Sequence, residues 1–350
     1  AALISGGVDS AVAVHRLLEL GHEPHLFYIR IGLDNGEGDC SAEEDIEMCT
    51  LIANRYSLPF DVVSLHEEYW DNVMEYALRT VKEGLTPNPD IMCNKMIKFG
   101  FFEQRWGHEF DMTATGHYAS TTHIGDKVYL STAVDSVKDQ TDFLARISYD
   151  QLKHLMFPIG NLPKQRVREI AVETRMPNAY RKDSQGICFI GQVKMSDFLR
   201  HYLPDKPGKI VDTEGKVLGS HNGLHLFTMG QRKGHGIASP REGIAYVVVG
   251  KDVKRNRLIL GYEDASTQGL YAARAVVGGI SNTLAPLPSR VMAQPRYRAK
   301  AEWASCEYLE EGKVRLSFDT PLRALAVGQV CAFYDGGKLL GGGFFESIEP

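Results

Sequence analysis

Along the first half of the chain, short apolar runs at 1–4, 23–31, 60–64 and 111–116 are separated by stretches whose apolar residues recur at helical spacing. Strand-length runs alternating with amphipathic helices predict a parallel sheet with helices on both faces, an α/β fold. The first helix reads 11–20 and stops at Gly21. Beyond Gly191 the helical period fades. Turn residues crowd Lys206-Pro207-Gly208, 212–215, 219–223 and 234–236, and the apolar pattern shrinks to alternating runs at 245–249 and 257–260. From about Tyr271 alternation dominates, at 272–277, 291–293, 296–301, 314–318, 329–334 and 342–346. Short strands at regular spacing predict a small closed β-barrel. The expected organisation is therefore an N-terminal parallel-sheet domain over 1–193, a small central linking domain over 194–266 and a C-terminal β-barrel over 267–350. An acidic helix expected over 42–55 reads as a solvated surface element.

A length of 350 residues exceeds one ordinary core and agrees with that division. No apolar run is long enough to cross a bilayer and no signal peptide is visible, so a cytoplasmic protein without a membrane partner is expected. The sequence begins inside an expected strand and without methionine, which points to native residues ahead of it. A net charge of −5 and a pI near 6.2 give bulk charge no part in nucleic-acid binding, so an RNA ligand would have to meet local basic patches. Six cysteines without a C-x-x-C pair argue against a disulfide framework and a zinc ribbon. Reduced thiols are the expectation, with Cys40, Cys49, Cys306 and Cys331 structural or incidental, and no zinc site.

The first chemistry lies in Ser5-Gly6-Gly7-Val8-Asp9-Ser10, which joins the first strand to the first helix. Two glycines allow a tight turn, and the unpaired N–H groups and positive dipole end of the helix face whatever occupies it. A phosphate or pyrophosphate fits there. No lysine follows the glycines as in a Walker loop, and the Rossmann glycine spacing is absent. Ser-Gly-Gly-x-Asp-Ser is the loop of enzymes that split ATP between its α and β phosphates and adenylate a substrate.

Two further segments carry thiols. In Thr86-Pro87-Asn88-Pro89-Asp90-Ile91-Met92-Cys93-Asn94, Asp90 and Cys93 would share a face of a starting helix. A nearby carboxylate raises a thiol's pKa, whereas the helix N-terminus and Lys95 or Lys98 lower it, so Asp90 suits a general base on the substrate better than an activator of Cys93. The same segment also reads as a proline-stiffened loop with Asp90 as a cap and Cys93 as a small buried side chain. Cys188 sits in Lys182-Asp183-Ser184-Gln185-Gly186-Ile187-Cys188-Phe189-Ile190-Gly191, which reads equally as a mobile loop or as a buried strand with a core cysteine.

These segments, with Thr115-Gly116-His117-Tyr118, Lys138-Asp139-Gln140, Gly230-Gln231-Arg232-Lys233-Gly234, Arg296-Tyr297-Arg298 and Leu340-Gly341-Gly342-Gly343, resemble the tRNA-specific 2-thiouridylase family of the PP-loop ATP pyrophosphatases along the whole chain. The resemblance implies a PP-loop, HUP-like ATP domain, a linking domain and a tRNA-binding barrel. It implies an ATP-dependent tRNA-uridine 2-sulfurtransferase that adenylates C2 of the wobble uridine and replaces the oxygen with persulfide sulfur. Carried over by position, it makes Cys93 the nucleophile, Cys188 the persulfide carrier and Asp90 the acid/base. It assigns ATP to Ser5, Gly6, Gly7, Val8, Asp9, Ser10, Tyr28 and Gly116. It assigns the target base to Asn88, Pro89 and Asp90, and tRNA contacts to His117, Lys138, Asp139, Gln140, Arg296, Tyr297 and Gln329. The partners implied are lysine, glutamate and glutamine tRNAs and a persulfide sulfur carrier or cysteine desulfurase, with Mg2+ accompanying ATP and Asp139 a candidate ligand. A Cys93–Cys188 disulfide stage would require their Cα atoms to come within about 7 Å. Tyr28-Ile29-Arg30-Ile31 departs from the family's strand end and leaves the adenine contact open, and His235 takes a place usually apolar.

Two other classes compete. Another PP-loop adenylating ligase or amidotransferase synthetase would use the same loop on a small molecule, but needs neither the paired cysteines nor a barrel. A noncatalytic RNA-binding protein would have no use for an intact Ser5 to Ser10 loop beside Asp90, Cys93 and Cys188.

Overall fold

The computed structural model describes residues 1–32, 40–183, 195–282 and 286–349; Cys188 and most of its segment lie outside them. The N-terminal region runs β1 (Ala2–Leu3), α1 (Val8–Glu19), β2 (Leu26–Arg30), α2 (Cys40–Tyr56) and β3 (Phe60–Ser64). Two continuous helical runs follow, α3 over 66–82 and α4 over 89–105, then β4 (Thr113–Thr115) and a hairpin of β5 (Ala119–Ile124) and β6 (Lys127–Thr132). The region closes with α5 (Tyr149–Leu152), β7 (Leu155–Met156) and α6 (Lys164–Glu173). The five-stranded sheet has the order β3-β2-β1-β4-β7 and is parallel throughout. Val12, Ala13, Val14 and Leu17 of α1 pack into its core beside Leu26, Ile52 and Ala114. The strand order reverses between β1 and β4, so the loops leaving those two strands share the crevice where ligands bind in such sheets.

After α7 (Met195–Tyr202), the central region forms a four-stranded sheet in the order β10-β11-β8-β9, from β8 (Gly208–Asp212), β9 (Val217–His221), β10 (Tyr246–Asp252) and β11 (Arg257–Tyr262). His235 belongs to this region's packing: its ring is buried, and Nδ1 accepts from the Ile237 N–H at 3.2 Å.

The barrel comprises β12 (Tyr271–Asn282), β13 (Arg290–Gln294), β14 (Glu302–Tyr308), β15 (Val314–Arg323), β16 (Val330–Asp335) and β17 (Lys338–Glu349). Its order is β12-β15-β14-β13-β16-β17, and antiparallel pairing of β12 with β17 closes it, leaving no free sheet edge in the ring. One expected strand is not there. Residues 296–301 form the turn between β13 and β14, where Pro295 offers no ladder donor, Arg298 has φ +60°, and the Ala299 N–H bonds the Arg296 carbonyl at 3.0 Å. The strand itself begins at Glu302.

The hairpin β5–β6 continues the barrel sheet, with Ser131 and Leu130 of β6 opposite Lys338 and Leu339 of β17. The connection from this hairpin to α5 joins the two halves of the molecule. Arg146 is 9% exposed; its Nη1 donates to the carbonyls of Gly342 (3.2 Å) and Gly279, and the guanidinium lies 4.6 Å over the Phe344 ring. Ser281 Oγ returns bonds to the Arg146 and Ile147 carbonyls at 3.1 and 3.0 Å. On the other flank, the Thr86 N–H meets the Val327 carbonyl at 3.0 Å and Asn88 Oδ1 accepts from the Val330 N–H at 2.6 Å.

Asp142 sits in the same connection, 5% exposed, and burial together with the charge of Asp139 pushes its carboxyl up to about 7. A carboxyl raised in the folded state binds its proton more tightly there than in the unfolded chain. Its stabilising contribution is complete below the ordinary aspartate range and is lost as pH climbs to about 7. Asp142→Asn, which cannot ionise, is expected to gain on wild type across that window. Its urea midpoint minus that of wild type should be larger at about pH 8 than at about pH 5; an equal difference at both would contradict the buried, protonated carboxyl.

Candidate active site

At the switch point, α1 starts at Val8 with Gly7 as its N-cap, and no side chain caps the helix end. The N–H groups of the first turn therefore face the crevice with the positive end of the dipole. Gly6 has φ +69°, and a Cβ there would lie 3.0 Å from both Arg181 Nη1 and the Asp45 carbonyl. Ser10 Oγ accepts from the Ser5 N–H at 3.2 Å and donates to the Gly7 carbonyl at 3.0 Å, which staples the loop across its mouth. Gly116, just after β4, approaches so closely that a Cβ would sit 2.9 Å from the Ser10 nitrogen. Ser5 to Ser10 and Gly116 thus form one backbone-lined concavity. Tyr28 stands near the end of β2 opposite Val62, packed partly against the sheet core.

The loop is ringed by cations that sequence reasoning, Lys138 apart, did not single out. Lys164 at the start of α6 contacts Asp9 Oδ1 and Oδ2 at 2.6 and 2.9 Å, and Tyr118 Oη donates to Asp9 Oδ1 at 2.8 Å. Lys164 also meets Asp183 at 2.8 Å, and Asp183 further accepts from Lys138 at 2.9 Å and from Arg168. Burial pushes the Asp183 carboxyl up, but its bonds to Lys164 and Lys138 outweigh burial and hold it below the usual carboxylate range. Arg181 bridges Asp45 (2.6 Å) and the Gly6 carbonyl (3.2 Å), which also accepts from Asn178 at 2.9 Å. In the sequence, Lys164 and Arg168 show only as an i,i+4 pair on an amphipathic helix, indistinguishable from a solvated face.

The second centre is the start of α4. Pro89 occupies the first helical turn, where its missing N–H costs nothing, and Asp90 lies in the same turn. Helix Pro89–Met92 gives way to a π-helical stretch, Cys93–Phe101, whose winding shows in the bond from the Phe102 N–H to the Ile97 carbonyl. Cys93 is 7% exposed and packs with Val73, Ile97 and Phe102. Asn94 Nδ2 donates to the Phe143 carbonyl at 3.2 Å, and the Phe143 ring lies 4.6 Å from that of Tyr297. Asn88 and Gln329 come together because Val330, the neighbour of Gln329, bonds Asn88. His117 faces Phe99 of the same helix, and its Nδ1 pairs with Thr115 Oγ1 at 2.8 Å. Burial, and then Lys98, push His117 well below its usual pKa, so it is neutral.

Several residues expected at RNA already have partners inside the protein. Gln140 Oε1 accepts from the Tyr118 N–H at 3.0 Å. Asp139 Oδ1 accepts from the Ala133 N–H at 2.8 Å and from Thr141 Oγ1 at 2.6 Å. Arg296 Nη1 donates to the Ala324 carbonyl at 3.0 Å. Among the described residues no three His, Cys, Asp or Glu side chains converge on a metal position, and no helix is long and apolar enough to cross a membrane.

Three family models match in succession: a tRNA methyl transferase HUP domain over 1–192, a tRNA methyl transferase PRC-barrel domain over 196–262 and an aminomethyltransferase beta-barrel domain over 271–345. The chain is 64% identical to the tRNA-specific 2-thiouridylase MnmA of Akkermansia muciniphila, over 99% of this chain and 98% of that one. It is 48% identical to the tRNA-specific 2-thiouridylase MnmA of Porphyromonas gingivalis, over 96% and 95% of the two chains. With that of Listeria welshimeri, identity is 42% over 99% of this chain and 94% of the relative. A glycine-lined helix start at the sheet's switch point, a cysteine helix against a closed barrel and these full-length likenesses agree: the chain belongs to the tRNA-specific 2-thiouridylase family.

Proposed function

We propose that this protein thiolates C2 of the wobble uridine in tRNA, spending ATP to adenylate the C2 oxygen and drawing sulfur from a persulfide on Cys188. The observation that carries the reading is the uncapped, glycine-lined start of α1 meeting Gly116 backbone to backbone, in the same domain as a buried cysteine helix that touches the barrel. A small-molecule synthetase has no need of the barrel contact.

In this reading Ser5, Gly6, Gly7, Val8, Asp9, Ser10 and Gly116 cradle the ATP phosphates through backbone N–H groups, with Tyr28 near the adenine. Lys164, now divided between Asp9 and Asp183, would swing part of its charge onto the phosphates. Mg2+ would accompany ATP, held chiefly by the phosphates and water, with Asp139 a candidate protein ligand. Asn88, Pro89 and Asp90 receive the flipped uracil, and Asp90 takes the N3 proton as O2 attacks the α-phosphate and pyrophosphate leaves. The terminal sulfur of the Cys188 persulfide then attacks C2 and AMP departs with the former O2. The Cys93 thiolate attacks the Cys188 sulfur, which releases the thiouridine and leaves a Cys93–Cys188 disulfide. Two electrons from an external dithiol restore the thiols. His117, Lys138, Asp139, Gln140, Arg296, Tyr297 and Gln329 line the approach of a lysine, glutamate or glutamine tRNA. A cysteine desulfurase or sulfur carrier in the cytoplasm would load Cys188.

Nucleoside mass spectrometry tests the chemistry. With ATP, Mg2+, tRNA and a persulfide donor, wild type should form 2-thiouridine, and Cys93→Ala and Cys188→Ala should each form none while still binding ATP. Thiolation persisting in either variant would overturn the two-thiol reading.

The nucleotide site makes a separate demand. Gly116→Val, whose Cβ has no room beside Ser10, should raise KM for ATP about tenfold or more and leave tRNA binding intact. Lys164→Met should lower pyrophosphate release about a hundredfold. Wild-type kinetics in both would remove this loop from ATP binding.

A further inference from the structure

A π-helical stretch is an uncommon and costly winding that needs something to hold it. The stretch that begins at Cys93 is held from outside by Gln151, a residue on α5 separated from it by more than fifty positions in sequence. Gln151 Nε2 donates to the Lys95 carbonyl at 2.8 Å and to the Phe99 carbonyl at 2.6 Å, so both protons of the amide are spent on this helix. Its Oε1 is fixed in turn by the Ser148 N–H at 2.9 Å, and its own N–H by Ser148 Oγ at 3.2 Å. This reciprocal capping box locks the Gln151 side chain before it reaches the helix. Gly100 completes the arrangement: a Cβ there would lie 2.9 Å from the Lys95 carbonyl, so the widened turn tolerates only glycine.

The support beneath Gln151 comes from the barrel. Arg146 and Ile147, just ahead of Ser148, are bonded to Ser281 of β12, and Arg146 to Gly342 of β17. A single short connection therefore fixes the winding of the cysteine helix relative to the barrel.

We propose that Gln151 is a positioning residue for the sulfur-transfer reaction, holding the helix in the π-wound form that presents Cys93. The inference rests on the reading of Cys93 as the nucleophile. A misplacement of the reacting groups by about 1 Å, caused by a change far from the chemistry, costs about a hundredfold in rate. Because the polar atoms of the Gln151 side chain are all engaged inside the protein, ground-state binding of ATP and tRNA should be spared.

The test uses full-length Gln151→Met and Gln151→Glu, with thiolation followed at saturating persulfide donor. Gln151→Met is expected to lose about tenfold to a hundredfold in kcat, with KM for ATP and tRNA within about twofold of wild type. Glutamate can donate to a carbonyl only when protonated. The activity of Gln151→Glu divided by that of wild type should therefore rise as pH falls from about 8 to about 5.5, whereas the ratio for Gln151→Met stays flat. A wild-type kcat in Gln151→Met, a loss confined to KM, or a pH-independent ratio for Gln151→Glu would each overturn the proposal. Cys93→Ala in the same assay separates the two layers. Thiolation there overturns the nucleophile reading itself, and an inactive Cys93→Ala beside a fully active Gln151→Met overturns the role of Gln151 alone.

Discussion

The burial of the Arg146 guanidinium against the barrel is the constraint on which the rest of the arrangement hangs. A buried charge is expensive, and desolvation lowers its pKa; the two carbonyls it reaches and the Phe344 face beneath it offset that cost only in this docked geometry. Gly279 makes the approach possible, since its φ of +56° turns a barrel carbonyl toward the arginine. Once Arg146 is seated, Ser148 and Gln151 are presented to the cysteine helix, and Phe143 to Asn94 and Tyr297. The barrel and the cysteine helix are thereby one assembly, although they lie in different parts of the sequence.

The loop at the start of α1 is governed by a different balance. At the start of α1 the fold supplies partial positive charge from uncapped N–H groups, and around it Lys138, Lys164, Arg168 and Arg181 are each paired with a carboxylate. Pairing keeps the cations in place in a chain of net charge −5, and in the proposed reading a polyphosphate competes with Asp9 and Asp183 for Lys164. Asp183, which holds Lys138 and Lys164, stands five residues ahead of Cys188 in the sequence.

Much of this was legible in the sequence. The parallel sheet, the Ser5 to Ser10 loop and the barrel were readable because each depends on a local rule: alternation of strand and helix periods, glycines ahead of a helix, and short strands between turns. The helix bearing Asp90 and Cys93 was one of two readings of its segment, the other a proline-stiffened loop, and the structure puts Pro89 in its first turn. The π winding was not legible, because it depends on an amide supplied by Gln151 from elsewhere in the chain. The β5–β6 hairpin was also hidden: Ser120, Thr121, Thr122 and His123 lack an apolar alternation, and the strand is fixed by pairing with β6 and, through it, with β17. Residues 296–301 failed in the opposite sense, since their alternating pattern describes a turn that Pro295 and Arg298 impose. Lys164 carried no pattern beyond a helix face, and Asp183 only its place in the Cys188 segment; the two charges acquire their meaning when the fold brings Lys164 between Asp9 and Asp183.

In the proposed reaction ATP activates the C2 oxygen of uridine, and this oxygen leaves with AMP. A tRNA labelled with heavy oxygen at C2 of the wobble uridine, thiolated by the wild-type protein in unlabelled water, tests it directly by mass spectrometry of the released AMP. The released AMP should carry one heavy oxygen for each thiouridine formed; unlabelled AMP accompanying thiolation would contradict adenylation of the C2 oxygen.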